Sequence, residues 1–475
     1  MFDLMLLTLL TAISLYGAGH VLLHKRDPRA ALGWIVICLV FPGVGAIIYG
    51  LFGINRIRNR ARRWQRKGRG MSWLEPAHCA WSSEMARQHP FSKENFAAQL
   101  SLANAVTRRP LLLGNHLTPL HNGEEAYPAM LEAIAKAERS VYLSSYIFDS
   151  DRSGRRFADA LIAAAERGVD VRLLIDGIGE RYSLRPARRW FRHTSVRVAR
   201  FLPPSISNRG AYINLRNHRK LLIIDALHGF TGGMNISDRH MVDGNASRRV
   251  VDLHFAVAGP VVGQMQDAFL EDWNFVTGEP FLPTRLPEPA PEGSVFCRGI
   301  SAGPNEDFEK LVWIVVGALN SAQQRVRIMT PYFIPDRALL AAISAAALRG
   351  VGVDIILPGK NNLPYVHWAS CAHIHDLIAY GCRVYFQPPP FTHSKLLLVD
   401  DQYALIGSAN LDPRSLRLNF EFNLELYDTE LVSHLGRHVD VALAASRRIN
   451  LKEPFFTSLP QRLRNALAKL FSPYL

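Results

Sequence analysis

The amino-acid sequence predicts an α/β protein of two related halves that follow an N-terminal two-helix membrane hairpin. Three observations lead to this prediction: an uncharged N-terminal region, a strand–helix–strand pattern that occurs twice, and a histidine–lysine motif repeated in register with that pattern. With 475 residues and 48% hydrophobic side chains, the chain can form two or three domains that each bury a core. This composition excludes the collagenous, disordered and disulfide-rich classes.

The predicted hairpin comprises residues 4–23 and 30–55, which contain no Asp, Glu, Lys or Arg. Each stretch is long enough for a helix across about 30 Å of hydrocarbon. A cleaved signal peptide is disfavoured, because no positive charge precedes the first stretch. The loop between the stretches carries three cations (Lys25, Arg26 and Arg29) against eight in residues 56–69, which predicts a cytoplasmic body. The interruption at Phe41–Gly45 leaves a re-entrant hairpin as the alternative.

The excess of positive charge is concentrated near the N-terminus. The formal net charge is +14, and residues 1–70 hold 11 Lys and Arg against 2 Asp, a net +9. Cations beside an apolar segment are typical of a membrane-flanking cluster, so we expect anionic membrane lipid as a partner and no nucleic acid. The aromatic segment Trp64–Trp81 either contacts lipid headgroups or folds onto the body.

The five cysteines form no CxxC pair, so the sequence predicts neither a disulfide framework nor a structural zinc site. The stretch most similar to a metal site is Cys371-Ala-His373-Ile-His375, whose alternate side chains would point apart on a helix. We therefore expect no bound metal.

The chain repeats itself with a strand, a helix and a second strand in each copy. The first copy covers 141–148, 156–167 and 168–175, and the second covers 326–333, 337–349 and 350–357. Such units predict mostly parallel or mixed sheets flanked by helices. The Pro-rich stretch Pro280–Pro291 cannot continue a sheet and indicates a linker. The predicted division is 1–70 (hairpin and basic segment), 71–280 (first half), 281–300 (linker) and 301–475 (second half).

The strongest signal is a motif that occurs once in each half. It reads His-x-Lys, four residues, Asp, six residues, Gly, Gly or Ser, one residue and Asn. Two chance matches in register with a repeat are very improbable. The first copy comprises His218, Lys220, Asp225, Gly232, Gly233 and Asn235, and the second comprises His393, Lys395, Asp400, Gly407, Ser408 and Asn410.

The residue types of the motif predict a phosphate site. Residues two apart on a strand share a face, so each histidine is expected to point the same way as its lysine. A lysine ammonium suits a phosphoryl oxygen, and amide donors at Gly233, Ser408, Asn235 and Asn410 can approach an anion. If the halves pack about a pseudo-twofold axis, one histidine can attack phosphorus while the other protonates the leaving oxygen.

Each catalytic imidazole also needs a carboxylate that fixes its tautomer. Glu421 lies 28 residues after His393, and Asp252 lies 34 residues after His218. Both carboxylates are candidates for this role.

These residues resemble the phospholipase D superfamily with paired HKD motifs, and within it the bacterial cardiolipin synthases. The resemblance covers nearly the whole chain, and the hairpin distinguishes this subgroup from soluble nucleases of the superfamily. Besides the two motifs it rests on Tyr49–Gly53, Ser145–Phe148, Pro331–Phe333, Asp252–His254, Gly259–Pro260, Phe269 with Trp273, and Asn410–Ser415 leading to Asn419–Glu421.

The resemblance implies two phospholipase D-type halves and a covalent mechanism. By that similarity, His218 is the nucleophile that forms a phosphatidyl-histidine, and His393 is the general acid and then the base. Lys220, Lys395, Asn235 and Asn410 would hold the phosphate, whereas Asp225 and Asp400 would be structural. The halves differ where Gly233 is replaced by Ser408, so equal roles are not expected.

The implied reaction is transfer of a phosphatidyl group from one phosphatidylglycerol to another, which gives cardiolipin and glycerol at the bacterial cell membrane. We expect this reaction to need no metal and no other cofactor. Two alternatives remain open: hydrolysis to phosphatidic acid, and cleavage of nucleic acid, which the hairpin disfavours. A scaffold without activity would be expected to lose a motif His or Lys, and none is lost.

The C-terminal residues 461–471 predict an amphipathic helix. Leu463, Leu467, Leu470 and Phe471 fall on one face, with basic residues elsewhere. This helix either lies on anionic lipid or packs onto its own domain.

Overall fold

The computed structural model describes residues 2–25, 28–53, 95–203, 215–243, 249–279, 291–304 and 309–472. The chain divides into an N-terminal helical unit and an α/β body. The basic residues 56–69, the Trp64–Trp81 segment and residues 280–290 of the expected linker lie outside the described ranges.

The N-terminal unit contains α1 (Phe2–His24), α2 (Pro28–Val40), α3 (Val44–Ile48) and a π-helical turn at Tyr49–Gly53. Within the described residues, one helix is long and apolar enough to cross a membrane, with mean hydropathy 1.7 over Asp3–His24. The 13 residues of α2 extend about 20 Å, which is less than the hydrocarbon thickness.

The second predicted membrane helix is therefore interrupted. Gly43 has a left-handed φ of 76° and its N–H donates to Ser14 Oγ at 3.0 Å, so the backbone turns between α2 and α3. Pro42 lacks the N–H that a continuing helix needs. The structure thus corrects the expectation of one continuous helix over 30–55.

The body consists of alternating helices and strands around one large sheet. Its helices are α4 (Ala97–Thr107), α5 (Asn122–Lys136), α6 (Arg152–Glu166), α7 (Val261–Thr277), α8 (Lys310–Ser321), α9 (Arg337–Leu348), α10 (Pro364–Ala379), α11 (Pro413–Arg417), α12 (Thr429–Ala444), α13 (Pro454–Thr457) and α14 (Leu459–Leu470). Its strands are β1 (Leu112–His121), β2 (Ser140–Ser145), β3 (Asp170–Asp176), β4 (Arg197–Phe201), β5 (Leu221–Ile224), β6 (His228–Gly232), β7 (Val250–Val251), β8 (Leu253–Ala258), β9 (Val295–Ala302), β10 (Arg325–Met329), β11 (Gly352–Pro358), β12 (Arg383–Gln387), β13 (Phe391–Thr392), β14 (Leu396–Val399), β15 (Tyr403–Gly407), β16 (Glu421–Tyr427) and β17 (Arg447–Arg448).

The order of strands in the sheet shows the predicted repeat. The order is β17-β12-β11-β10-β14-β15-β16-β9-β1-β8-β6-β5-β2-β3-β4, so each half mirrors the other outward from the β9–β1 pair. In each half three strands are parallel (β2-β3-β4 and β10-β11-β12) and the others antiparallel. The predicted strand–helix–strand units are confirmed as β2-α6-β3 and β10-α9-β11. This is the mixed α/β architecture that the sequence predicts.

Two expected boundaries differ from the structure. Residues Val295–Ala302 form β9, because an apolar strand pairs there with β1 and β16, so the linker expected over 281–300 ends before Val295. Residues Phe96 and Leu100, expected in the first half, pack in the core of the second half beside α8. The Arg298 guanidinium joins these elements, because Nε lies 3.1 Å from Glu425 Oε2 and Nη1 donates to Asn104 on α4.

The C-terminal helix α14 packs on α10 through Ala468, and Asn465 Nδ2 donates to Phe455 O on α13 at 3.4 Å. Its predicted leucine face points outward, since Leu463 is 62% exposed and Leu467 is 59% exposed. Packing onto the domain and an outward apolar face therefore coexist on one helix.

Candidate active site

Backbone contacts between the halves position both motif histidines. His218 N donates to Phe420 O at 2.8 Å, across a parallel bridge between the two segments. In the second motif β13 pairs in parallel with β7, and His393 N donates to Val251 O at 2.7 Å. The histidines lie just before β5 and β14, which corrects the expectation that they lie within a strand. Each half therefore holds the histidine of the other.

Glu421 orients His218. The Nδ1 atom of His218 lies 3.1 Å from Oε1 and 3.0 Å from Oε2 of Glu421, whose side chain is fully buried. Ser408 Oγ donates to Oε2 at 2.5 Å, and Asn419 Nδ2 donates to Oε1 at 3.1 Å. A carboxylate that accepts these contacts keeps the Nδ1 proton on the imidazole, so Nε2 presents its lone pair.

Asp252 orients His393 in the same way, with 2.7 Å between Nδ1 and Oδ2. Both carboxylates thus come from the half opposite to the histidine that they contact. Gly233 makes room for Asp252, because a Cβ at Gly233 would lie 2.3 Å from Asp252 Oδ1. Asp252 Oδ1 accepts the backbone N–H of Leu253 at 2.9 Å, whereas Glu421 accepts the Ser408 hydroxyl. The two carboxylates therefore differ in what they contact beside Gly233 and Ser408.

The motif lysines lie behind the histidines. Lys220 Nζ donates to His218 O at 2.7 Å and lies 5.5 Å from the centre of the Tyr146 ring. Lys395 Nζ donates to His393 O and lies 2.9 Å from Nδ1 of the same residue. Because Asp252 can only accept, Nδ1 carries the proton and the Lys395 contact is electrostatic. A direct contact of either ammonium with phosphate stays a prediction.

Both histidines line one cavity of about 420 Å³. Asn235 and Asn410 line it too, and within the part of the chain that the structure describes Asn410 Oδ1 is buried without a hydrogen-bond partner. Gly233 and Ser408 lie behind the cavity instead, because Gly233 N donates to Leu253 O and Ser408 N to Phe422 O. Their predicted role as amide donors to phosphate is therefore not supported by the geometry.

Burial and the neighbouring charges set the pKa values of the site. Burial lowers the pKa of His393 to about 3, and Lys395 adds to this effect. Burial also lowers the pKa of His218, against the opposing charge of Glu421. For Asp252, burial acts to raise the pKa, but Lys395 and His393 outweigh it and hold the pKa well below its usual range.

For Glu421 too, burial acts to raise the pKa, but His218 and Lys220 outweigh it and lower the pKa. Both carboxylates are therefore ionised and the imidazoles neutral. Burial likewise lowers the pKa of Lys220 to about 7 and of Lys395 to about 8. A phosphodiester anion in the cavity favours the protonated form of a nearby imidazole. One neutral imidazole can then attack phosphorus, while the other binds a proton and donates it to a leaving oxygen.

Asp225 and Asp400 hold turns at the ends of β5 and β14 away from the histidines. Asp225 accepts backbone hydrogen bonds from Glu138, Arg139 and Ser140. Asp400 accepts the equivalent three from Gln323, Gln324 and Arg325. These contacts agree with a structural role.

Two family models match this chain. One, described as "Cardiolipin synthase, PLD-like domain", matches residues 130–273 and 315–441, which fall in the two halves. The other, described as "Phospholipase_D-nuclease N-terminal", matches residues 7–53. The chain belongs to the cardiolipin synthase family. The family resemblance inferred from the paired motifs is therefore confirmed.

Curated members of the cardiolipin synthase family align with nearly the whole chain. The chain is 31% identical over 464 residues to the major cardiolipin synthase ClsA of Bacillus subtilis (strain 168), which covers 95% of each protein. It is 33% identical over 485 aligned residues to cardiolipin synthase A of Pseudomonas syringae pv. syringae (strain B728a), covering 98% of this chain and 97% of that protein.

The fold is also similar to that of a solved structure, phosphatidylserine synthase from Haemophilus influenzae Rd KW20. The TM-score is 0.60 at 16% sequence identity, covering 79% of this chain and all of that chain. At this identity the likeness shows the fold alone.

Several cavity residues of this cardiolipin synthase family member were not anticipated from the sequence. The Tyr146 ring contacts His218 edge to face with centroids 5.1 Å apart, and Tyr332 contacts His393 at 6.4 Å. Their matching positions in the two copies were the available signal. Arg216, Arg239 and Arg414 also line the cavity.

The metal-like stretch in α10 gives no ligand set. Across the described ranges, no group of three or more His, Cys, Asp or Glu side chains could hold a metal ion. Cys371 and His373 are both buried, whereas His375 is exposed.

Proposed function

We propose that this protein is a cardiolipin synthase that transfers a phosphatidyl group from one phosphatidylglycerol to a second. The observation that carries this proposal is the pair of histidines in one cavity, each hydrogen-bonded through Nδ1 to a buried carboxylate of the opposite half. Because both imidazoles present Nε2 to the same space, a phosphodiester between them can be attacked from one side and protonated on the other.

In the first step, His218 Nε2 attacks the phosphorus of the donor lipid. The bond from phosphorus to the headgroup glycerol oxygen breaks, and His393 supplies the proton that this oxygen needs. The product is a phosphatidyl-histidine, and Glu421 stabilises its positive ring across the 3.0 Å contact. Glycerol leaves.

In the second step, His393 removes a proton from the primary hydroxyl of the acceptor phosphatidylglycerol. The resulting oxygen attacks phosphorus, the bond between phosphorus and His218 breaks, and cardiolipin leaves. One phosphodiester replaces another, so the overall reaction needs no nucleotide. Asn235 and Asn410, on the cavity wall, are the side chains best suited to donate to the oxygens of the reacting phosphate.

We further propose that α1 anchors the protein in the bacterial inner membrane with the body on the cytoplasmic side. The charge distribution around the hairpin supports this orientation. The exposed leucine face of α14, flanked by Arg462 and Lys469, is suited to rest on anionic lipid.

The test is product analysis after incubation of the detergent-solubilised full chain with phosphatidylglycerol, with and without a chelator. We compare the parent protein with H218A, H393A and the control H375A, which removes an exposed histidine from α10. We expect cardiolipin and glycerol from the parent and H375A and from neither site variant. Phosphatidic acid as the main product would make the protein a hydrolase, and unchanged H393A activity would refute the paired-histidine mechanism.

A further inference from the structure

The motif of each half continues four residues past its asparagine with an arginine. Arg239 follows Asn235 and Arg414 follows Asn410 at this spacing, and both arginines line the cavity of the histidines. Arg414 is half-buried, whereas Arg239 is exposed. The cavity therefore holds cationic side chains beyond the motif residues, and their surroundings differ between the halves.

Arg216 lies beside Arg414. Phe420 N donates to Arg216 O at 2.8 Å, and Asn419 N donates to Arg414 O at 2.8 Å, so adjacent residues of one segment bind the backbones of both arginines. Burial lowers the pKa of Arg414, and the charge of Arg216 lowers it further. Two guanidinium groups on one cavity wall are therefore close enough to repel each other.

Carboxylates also act on this pair, Asp412 on Arg414 and Asp176 on Arg216. Asp412 Oδ1 accepts the backbone N–H of Ser415 at 2.7 Å, and burial raises the pKa of Asp412 to about 6. Arg239 is in a different situation, because it borders a second, open cavity together with Asp149 and Asp151. The wall of Arg216 and Arg414 thus brings two guanidinium groups together at the cavity of the histidines.

The proposed reaction brings two phosphates into one cavity. The reacting phosphate lies between the histidines, but the acceptor carries its own phosphate one glycerol bridge away from the hydroxyl that attacks. Arg216 precedes His218 by two residues on an extended segment, so the two side chains share a face and both line the cavity. A second anion site on the same cavity wall as the reacting centre suits a glycerol-bridged diphosphate.

We propose that Arg216 and Arg414 form a binding site for the phosphate of the acceptor lipid, separate from the site of the reacting phosphate. This inference rests on the proposed function. The site selects an alcohol that carries a phosphodiester over neutral alcohols and water, because guanidinium groups bind phosphate oxygens in pairs of charge-assisted hydrogen bonds. It thereby favours lipid transfer over hydrolysis.

Two reactions of the same covalent intermediate distinguish the acceptor-phosphate site from the reacting-phosphate site. Exchange of labelled glycerol into phosphatidylglycerol uses a neutral acceptor, so it requires only the reacting-phosphate site. Cardiolipin formation uses the anionic acceptor and requires both sites. Both rates are measured on the full chain, at limiting phosphatidylglycerol, for the parent, R414Q, R216Q and R414K.

We expect the ratio of cardiolipin formation to glycerol exchange to fall at least about tenfold in R414Q and R216Q, with part of it restored in R414K. The control is R417Q on the same short helix, whose guanidinium contacts Asp336 and Glu309 outside the cavity, and it should keep the parent ratio. An equal loss of both reactions in R414Q and R216Q would assign the arginines to the reacting phosphate and overturn the inference. If the parent catalysed exchange but formed no cardiolipin, the proposed function itself would fail.

Discussion

The crosswise pairing of carboxylates and histidines predicts that Glu421 and Asp252 control different steps. The variant E421Q is nearly isosteric and removes the charge beside His218. The amide can keep its oxygen toward His218 and Asn419 and turn its nitrogen toward Ser408, whose hydroxyl can accept. The geometry therefore survives, and the lost quantity is the charge that stabilises a phosphorylated imidazolium.

The distances give the size of the effect. With both carboxylate oxygens 3.0–3.1 Å from His218 Nδ1, the two charge centres are about 4 Å apart. At an effective dielectric constant of about 20, this pair contributes about 4 kcal/mol. Formation of the covalent intermediate should therefore slow about a thousandfold in E421Q.

The assay uses a phosphatidyl substrate with a p-nitrophenol headgroup, which leaves without general-acid help. We expect E421Q to lose the rapid burst of p-nitrophenol. D252N should keep the burst and slow the later turnover, since His393 acts as the base there. The control E132Q removes a carboxylate from an exposed ion pair with Lys136 and should match the parent.

The opposite pattern would refute this reasoning. If D252N lost the burst and E421Q kept it, His393 would be the nucleophile. If both variants lost the burst equally, the two carboxylates would not act on separate steps.

Three further predictions follow from buried contacts. G233A should lower turnover at least about a hundredfold in the lipid product assay, because its Cβ would displace the Asp252 carboxylate that lies 2.3 Å away. R298M should lower the free energy of unfolding in denaturant titrations by about 3 kcal/mol, because it leaves the buried Glu425 carboxylate without its cation. Burial lowers the pKa of His254 to about 3, whereas an exposed histidine has a pKa of about 6.5. Below pH 6.5 unfolding therefore takes up a proton, so the free energy of unfolding decreases as the pH is lowered from about 6.5 to about 3. When the pH is lowered from 7 to 4.5, the free energy of unfolding of H254F should therefore decrease by about 2 kcal/mol less than that of the parent in the same titrations. An equal decrease would contradict this assignment.

The sequence predicted the parts of the fold that depend on local pattern. Alternating apolar residues located β2, β3, β10 and β11, and helical periodicity located α6 and α9. The two motifs stood out because a duplicated spacing is improbable by chance. The interruption at Gly43 was visible as an alternative, but an uncharged stretch has the same composition whether its helix is continuous or broken.

Features that depend on how the halves dock could not be read from the sequence. His218 and Glu421 are 203 residues apart, and His393 and Asp252 are 141 apart. Either carboxylate could have served the histidine of its own half, since spacing along the chain does not report how the two halves pack against each other. Each motif lysine also makes a contact that the pattern did not predict, because a long flexible side chain can reach a nearby carbonyl, which here belongs to its own motif histidine.

The two carboxylates also have unequal surroundings, and this inequality bears on the roles of the histidines. Glu421 accepts hydrogen bonds from Ser408 and Asn419, which stabilise its charge and reduce its basicity, so the Nδ1 proton stays on His218. That arrangement suits a ring that becomes cationic while it carries a phosphoryl group. His393 instead has the Lys395 ammonium beside Nδ1, which opposes its protonation until an anionic substrate arrives. Because a proton on His393 then depends on the substrate anion, general-acid catalysis is coupled to phosphodiester binding, and the half with Gly233 and the half with Ser408 are suited to different steps.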